Sequence, residues 1–251
     1  MILIRAGRVL GPAEGLDIKA DVVLDGDRIA GIFPADQGGA EGAPGFSTRE
    51  RQYEQIIEAE GLAAAPGLVD VHVHFRDPGP TYKEDIHTGA RAAAKGGFTT
   101  VVCMANTNPI VDNEETLRYV LEEGKKTGIH VLSCAAVSKG FAGRELTDME
   151  GLLEAGAAGF TDDGIPLMEG TFVREAMEEA ARLDTVLSFH EEDKHFIREN
   201  GINHGRISDE LGIYGSPALA EDSLVARDCM IALDTGATVD IQHISSGHSV
   251  G

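Results

Sequence analysis

Asp70-Val71-His72-Val73-His74-Phe75-Arg76-Asp77-Pro78-Gly79 follows an apolar run from Leu62 to Val69. Val71, Val73 and Phe75 alternate with His72, His74 and Arg76. That period of two is the pattern of a strand, and it puts both imidazoles on one face. Neutral imidazole is the commonest protein ligand for zinc-type ions, so a strand ending on two of them is the start of a metal site. Arg76 adds a permanently charged planar fork, suited to a two-point grip on a carboxylate. Alone, a His-x-His pair reads equally well as half-buried packing. The rest of the chain decides between the two.

Beyond Leu62 the pattern alternates between strands and helices. Strands are expected at Leu68–His74, Phe98–Met104, Ile129–Ala135, Ala157–Thr161, Thr185–His190 and Ala237–His243. Helices are expected at Glu84–Lys95, Asn113–Lys126, Asp148–Ala155, Met168–Leu183 and Pro217–Leu233, most of them closed by a glycine. Glycine-capped helices feeding β-branched runs are the mark of repeated βα units and a parallel sheet. Doubly wound sheets and barrels both fit this alternation. A phosphate-binding glycine loop is missing after the first strand, and Gly96-Gly97 lies before a strand, the wrong side for a phosphate cradle. Polar residues gather at the carboxyl ends of strands: His72 and His74, Asn106, Asp162-Asp163, His190-Glu191 and Gln242-His243. A barrel puts its active site on that rim. The expected fold is therefore α/β, a (β/α)8 TIM-type barrel of which the first six strands are present.

The first 60 or so residues read differently. Residues 2–10 and 21–33 are strand-like, with a hairpin turn at Asp25-Gly26 between Val22–Leu24 and Arg28–Phe33. Residues 34–55, rich in Gly and Pro with a charged run at Arg49–Arg51, read as an exposed insertion loop. Ile56–Ala59 is one further strand. Residues 1–60 are thus expected to form part of a small β-sandwich, and 61–251 a hydrolase barrel. A complete barrel needs about 250 residues. Too few follow residue 60, so the chain is expected to be a fragment lacking two βα units.

The 251 residues carry 42 acidic against 21 basic side chains, a formal charge of −21. A nucleic-acid binder needs a basic face, so that class is excluded. An anionic substrate would need a locally positive site, which a metal with Arg76 would provide. Three cysteines without a CxxC spacing argue against a disulfide framework or a cysteine zinc site. With neither an 18-residue apolar run nor a basic leader, the expectation is a cytoplasmic, unanchored protein.

With these residues in view, the chain resembles the amidohydrolase superfamily, and within it the long bacterial dihydroorotases. The resemblance is carried by Asp70-x-His72-x-His74-x-Arg76, Pro78-Gly79, Tyr82-Lys83-Glu84, Gly96-Gly97-Phe98-Thr99-Thr100, Asn106-Thr107-Asn108-Pro109 and Phe160-Thr161-Asp162-Asp163-Gly164. It implies a (β/α)8 barrel with a small β-sandwich built from both chain ends. It also implies the reversible, zinc-dependent cyclisation of N-carbamoyl-L-aspartate to dihydroorotate in pyrimidine synthesis. By motif, His72 and His74 would bind one zinc and His190 and His243 a second, with Asp163 bridging them. Related hydantoinases bridge with a carboxylated lysine from the fourth strand. Residues 159–163 offer none, which favours the Asp-bridged type. Asp163 is preferred to Asp162 because its spacing to His190 suits the family. Arg76 and Asn106 match residues that bind the substrate carboxylate.

In such enzymes a carboxylate moves the nucleophile's proton to the leaving nitrogen. The family's Asp for this role would lie beyond Gly251, so the chain alone is expected to turn over little substrate. A homodimer and an aspartate carbamoyltransferase partner are further possibilities of the family. Two alternatives stay open: an allantoinase or hydantoinase, and a non-catalytic partner of aspartate carbamoyltransferase, which would be expected to lack ligand histidines.

The remaining candidates read as ordinary residues. His87, His130, His195, His204 and His248 are expected in surface or core roles, and Asp162 in a turn or behind the ligands. Glu191-Glu192-Asp193 reads as the solvated start of a helix. Lys83 and Glu84 also suit a helix start, and Asn-Thr-Asn-Pro around Asn106 is ordinary turn chemistry.

Overall fold

The computed structural model describes residues 1–48, 51–199 and 201–251, so part of the charged run Arg49–Arg51 lies outside the described residues. The chain divides into two compact units, Met1–Gly67 and Leu68–Gly251.

The first unit is a five-stranded sheet. Its strands are β1 (Ile2–Gly11), β2 (Leu16–Asp25), β3 (Arg28–Pro34), β4 (Gln55–Glu58) and β5 (Ala63–Ala64). The hairpin neighbours β1–β2 and β2–β3 are antiparallel, whereas β4 and β5 both run parallel to β1. Gly26, with φ +60°, supplies the left-handed turn between β2 and β3. Residues 34–55 are not simply an exposed loop. Ala40 is buried with Leu3 and Val23, and Phe33, Phe46 and Tyr53 pack on that cluster. The Asp21 carboxylate accepts from the Ala40 amide at 2.9 Å. Local composition signalled a loop, but a few scattered apolar residues give it a packed inner side.

The second unit alternates as the sequence predicts, with shorter elements. In order these are β6 (Leu68–Val73), α1 (Ile86–Lys95), β7 (Phe98–Cys103), α2 (Glu114–Gly124), β8 (His130–Ser133), α3 (Met149–Glu154), α4 (Gly170–Arg182), β9 (Val186–Phe189), α5 (Arg206–Leu211), α6 (Leu219–Thr235), β10 (Thr238–Ile241) and α7 (Gly247–Val250). The helix starts are written in side chains. Asp85 caps α1 in a reciprocal box with Thr88, Asn113 caps α2, and Asp148 caps α3.

The expected strand at Ala157–Thr161 is reduced to bridges at Phe160, which pairs in parallel with Ala135 and with Leu187. Its backbone is nonetheless bonded on both sides. Phe160 N donates to Val186 O at 3.1 Å, Thr161 N to Ala135 O at 2.9 Å, and Ser188 N to Phe160 O at 2.8 Å. The run β6-β7-β8-Phe160-β9-β10 is therefore continuous and parallel. Flat, it would separate β6 from β10 by about 24 Å, five steps of roughly 4.8 Å. Instead the rings of His72, at the end of β6, and His243, after β10, lie 5.4 Å apart. The sheet is thus curled, a half-barrel closed around its carboxyl rim.

Between sheet and helices lies one large core that includes Ile86, Val101, Leu117, Leu152, Phe160, Val173, Met177 and Leu187. Among the described residues no helix is long and apolar enough to cross a membrane.

Candidate metal centre

Each rim residue is delivered by the strand it ends. His72 lies on β6 and His74 just past its end, two residues apart on one extended stretch, and their Nε2 atoms lie 3.2 Å apart. Asp163 follows the Phe160 bridge, His190 follows β9 and His243 follows β10. The His190 Nδ1 and His243 Nε2 atoms are 2.9 Å apart. Asp163, 4% exposed at its side chain, sits among all four. Its Oδ1 lies 3.7 Å from His72 Nε2, 3.4 Å from His190 Nδ1 and 3.8 Å from His243 Nε2, while Oδ2 lies 3.5 Å from His74 Nε2.

These atoms form two groups that share the carboxylate: His72, His74 and Asp163, and Asp163, His190 and His243. Facing imidazole lone pairs at such distances repel unless a proton or a cation lies between them. A tetrahedral ion with bonds of about 2.0–2.1 Å holds its ligand atoms about 3.3 Å apart. The separations found, 2.9 to 3.8 Å, bracket that figure. The donor set fits a zinc-type ion at each group.

Charge and hydrogen bonds tune the cluster. Burial pushes the His72 imidazole below its usual range despite Asp163 nearby. His190 is pushed up by its hydrogen bond to Asp163, against the effect of burial. Burial alone would raise Asp163, but the His190 hydrogen bond and the neighbouring imidazoles outweigh it and hold the carboxyl below the ordinary range.

Asn106 bridges two of these residues. Its Oδ1 lies 3.0 Å from His74 Nδ1, and its Nδ2 donates to Asp163 Oδ2 at 2.9 Å. A donating Nδ1–H on His74 leaves Nε2 with its lone pair toward the shared site, the usual way a protein fixes a ligand's tautomer.

Asp162 points elsewhere. It accepts from the amides of Val137 (2.8 Å) and Ser138 (3.1 Å) and from the Ser138 hydroxyl. Burial pushes its carboxyl up to about 6 against those bonds. Of the two adjacent aspartates, the structure brings Asp163 to the histidines.

Arg76 has φ +58° and His243 φ +35°. A residue with a side chain is uncommon in that region, and such strain gathers at functional sites. Arg76 is half-buried, and among the described residues it makes no hydrogen bond or ion pair. The loop that follows is braced. Asn108 N donates to Pro78 O at 3.0 Å, and a Cβ on Gly79 (φ +116°) would meet Asn108 O at 2.7 Å. The Tyr119 hydroxyl donates to Asp77 at 2.9 Å.

The other histidines stay apart from this cluster. His87 faces Glu123, His195 faces Asp193, His204 faces Asp209, and His248 faces Asp222 with its side chain 89% exposed. His130 opens β8, at the opposite end of the strands from the rim.

The acidic run after His190 does open a helix, a single turn at Lys194–Phe196 capped by Asp193 through the His195 amide at 2.9 Å, but its first member is not solvated. Glu191 is 5% exposed and its carboxyl lies against that of Asp228, which is fully buried. Burial and the neighbouring carboxylate push the Glu191 carboxyl well above the usual range. Arg227 closes the arrangement, donating to Asp228 and to the carbonyls of Leu167 and Met168. No local pattern marked these residues. Apart from the neighbours Arg227 and Asp228, their partners are separated by 37 to 60 positions along the chain.

A family model described as dihydro-orotase-like matches residues 61–249. The chain belongs to this family. Among curated dihydroorotases, that of Clostridioides difficile is 55% identical over 250 residues, covering all of this chain and 56% of the relative. That of Streptococcus thermophilus is 50% identical over 251 residues with the same coverage. The chain thus spans little more than half the length of the dihydroorotases it matches. Among solved structures, an L-hydantoinase from Arthrobacter aurescens aligns with a TM-score of 0.75 at 19% identity, over 99% of this chain and 54% of that one. At that identity the likeness establishes the fold: a mixed α/β architecture like that of the hydantoinases.

Proposed function

We propose that this dihydro-orotase-like chain carries the metal centre of a dihydroorotase, which interconverts dihydroorotate and N-carbamoyl-L-aspartate with one or two zinc ions. The observation that carries this is the meeting of His72, His74, Asp163, His190 and His243 at one rim, around a carboxylate shared by two ligand groups. When bound, such an ion polarises a carbonyl and acidifies water.

The chain's own residues do the rest. His72 and His74 with Asp163 would hold one ion, and His190 and His243 with Asp163 the other. Asn106 fixes the His74 ring and the Asp163 carboxylate. Arg76, with no partner among the described residues, supplies a cationic fork for the substrate's carboxylate. In hydrolysis, water adds to the ring carbonyl, the C–N bond breaks and the nitrogen takes a proton. The same proposal makes the curled sheet the first six strands of an eight-stranded barrel, and Met1–Gly67 the N-terminal part of a β-sandwich.

A hydantoinase or allantoinase is disfavoured because residues 159–163 hold no lysine to bridge two metals. A non-catalytic partner of aspartate carbamoyltransferase is disfavoured because all four histidines are present and converge.

The test is substrate choice. Dihydroorotate, hydantoin and allantoin are offered to the zinc-loaded protein in its natural length. Turnover of dihydroorotate at a kcat/KM at least a hundredfold above either alternative (about 2.7 kcal/mol) is expected. Preference for another ring, or turnover unaffected by stripping the metal, would refute the proposal.

A further inference from the structure

The three ligands of the Asp163–His190–His243 group lie on three different loops, and each loop is held by the same helix. After Asp163, the carbonyls of Leu167 and Met168 accept from Arg227 at 2.6 and 2.8 Å. Directly after His190, the carboxyl of Glu191 lies against Asp228. After His243, Glu221 Oε2 accepts from Ser245 N at 2.8 Å and Ser245 Oγ at 2.7 Å, and Oε1 from Ser246 N at 2.9 Å. A backbone bond from Asp193 N to Ala220 O, 2.8 Å, adds a second tie to the His190 loop. Glu221, Arg227 and Asp228 all belong to α6.

We propose that α6 is the positioning element of this one metal group, acting through Glu221, Arg227 and Asp228. Glu221 and Asp228 are seven apart, two turns along one helix face. Arg227, next to Asp228, grips it with Nε at 2.6 Å and Nη2 at 2.9 Å while its remaining donors reach the carbonyls. A planar five-donor fork can do both at once, and an ammonium cannot. Buried charge costs stability unless it is paired. Leu224, Val225 and Ala220 already bury an apolar face of α6, so anchoring the helix does not call for these charges. They do give three separate loops one common rigid reference. The His72–His74 pair depends on β6 and Asn106, and no described hydrogen bond links it to α6.

The inference rests on the metal assignment proposed above, and it makes the two groups respond differently to changes in α6. Partners behind metal ligands typically contribute about 10–100-fold in affinity. The experiment is a Co2+ titration of the purified protein, followed by visible absorption, with melting temperature recorded alongside. The wild type is expected to take up two equivalents. Glu221→Ala, which loosens only the His243 loop, should keep one equivalent at nearly wild-type affinity and weaken the other about 10–100-fold, whereas Arg227→Met, which loosens the loop of the shared Asp163, should weaken both. Glu221→Gln and Arg227→Lys should recover part of the loss. Asp234→Asn, a surface change on the same helix, should alter neither. If Arg227→Met does not fold, Glu221→Ala carries the comparison. Two equivalents bound at wild-type affinity in a folded Glu221→Ala protein would overturn the positioning role alone, as would equal weakening of both in that variant. A wild type that takes up only one equivalent would overturn the second ion and the positioning role with it, and one that takes up none would overturn the metal assignment itself.

Discussion

Asp163→Asn should empty both metal groups at once. The substitution keeps the shape of the side chain and its contact with Asn106, but removes the one anion that all four imidazoles face. Partners behind a ligand contribute about 10–100-fold in metal affinity, so loss of a ligand common to both ions should cost roughly a hundredfold or more at each. His72→Ala is the contrast, since it touches the first group directly and should leave the Asp163–His190–His243 group much closer to wild type. Metal content after dialysis against a weak chelator reads both outcomes. Retention of even one full equivalent by Asp163→Asn would remove Asp163 from its shared position.

Phe160→Ala should be the most damaging single change to the fold. Phe160 is fully buried, and its backbone joins β8 to β9 where the fourth strand has shrunk to bridges. Truncating a buried phenylalanine costs about 3–5 kcal/mol, a transfer loss plus the cavity left behind. Whole-domain stability is about 5–15 kcal/mol, so the variant should lose a large share of it. Urea unfolding measures this directly. A loss under about 1 kcal/mol would mean the core closes around the gap, contrary to its close packing.

The parts of this molecule that sequence made legible are those set by short-range periodicity. The period of two through His72 and His74 places both rings on one face at the end of β6. The expected helix ranges beginning at Glu84, Asn113 and Asp148 lie within two residues of the observed starts of α1, α2 and α3. Asp163 was separable from Asp162 only through the family resemblance, and the geometry gives the physical difference: Asp162 is tied to Val137 and Ser138.

What stayed hidden was long-range or backbone-specific. Glu191 sits in an acidic run that any local reading places in solvent, yet a partner 37 residues later buries it. The left-handed backbone at Arg76 and His243 has no decisive sequence signal, because neither position is a glycine, though histidine is found there more often than most residues. The packed inner side of residues 34–55 was masked by the Gly- and Pro-rich composition around it. The fourth strand read longer than it is, since Gly159 leaves a place where Val186 approaches to within 2.8 Å of a would-be Cβ and only Phe160 forms ladder pairs.

The most direct test of the metal centre is anomalous scattering at the zinc edge from crystals of the zinc-loaded protein. Peaks are expected at the rim, one among His72, His74 and Asp163 and one among Asp163, His190 and His243. Zinc bound only elsewhere, or a rim without anomalous density in zinc-loaded crystals, would contradict the assignment of these five residues.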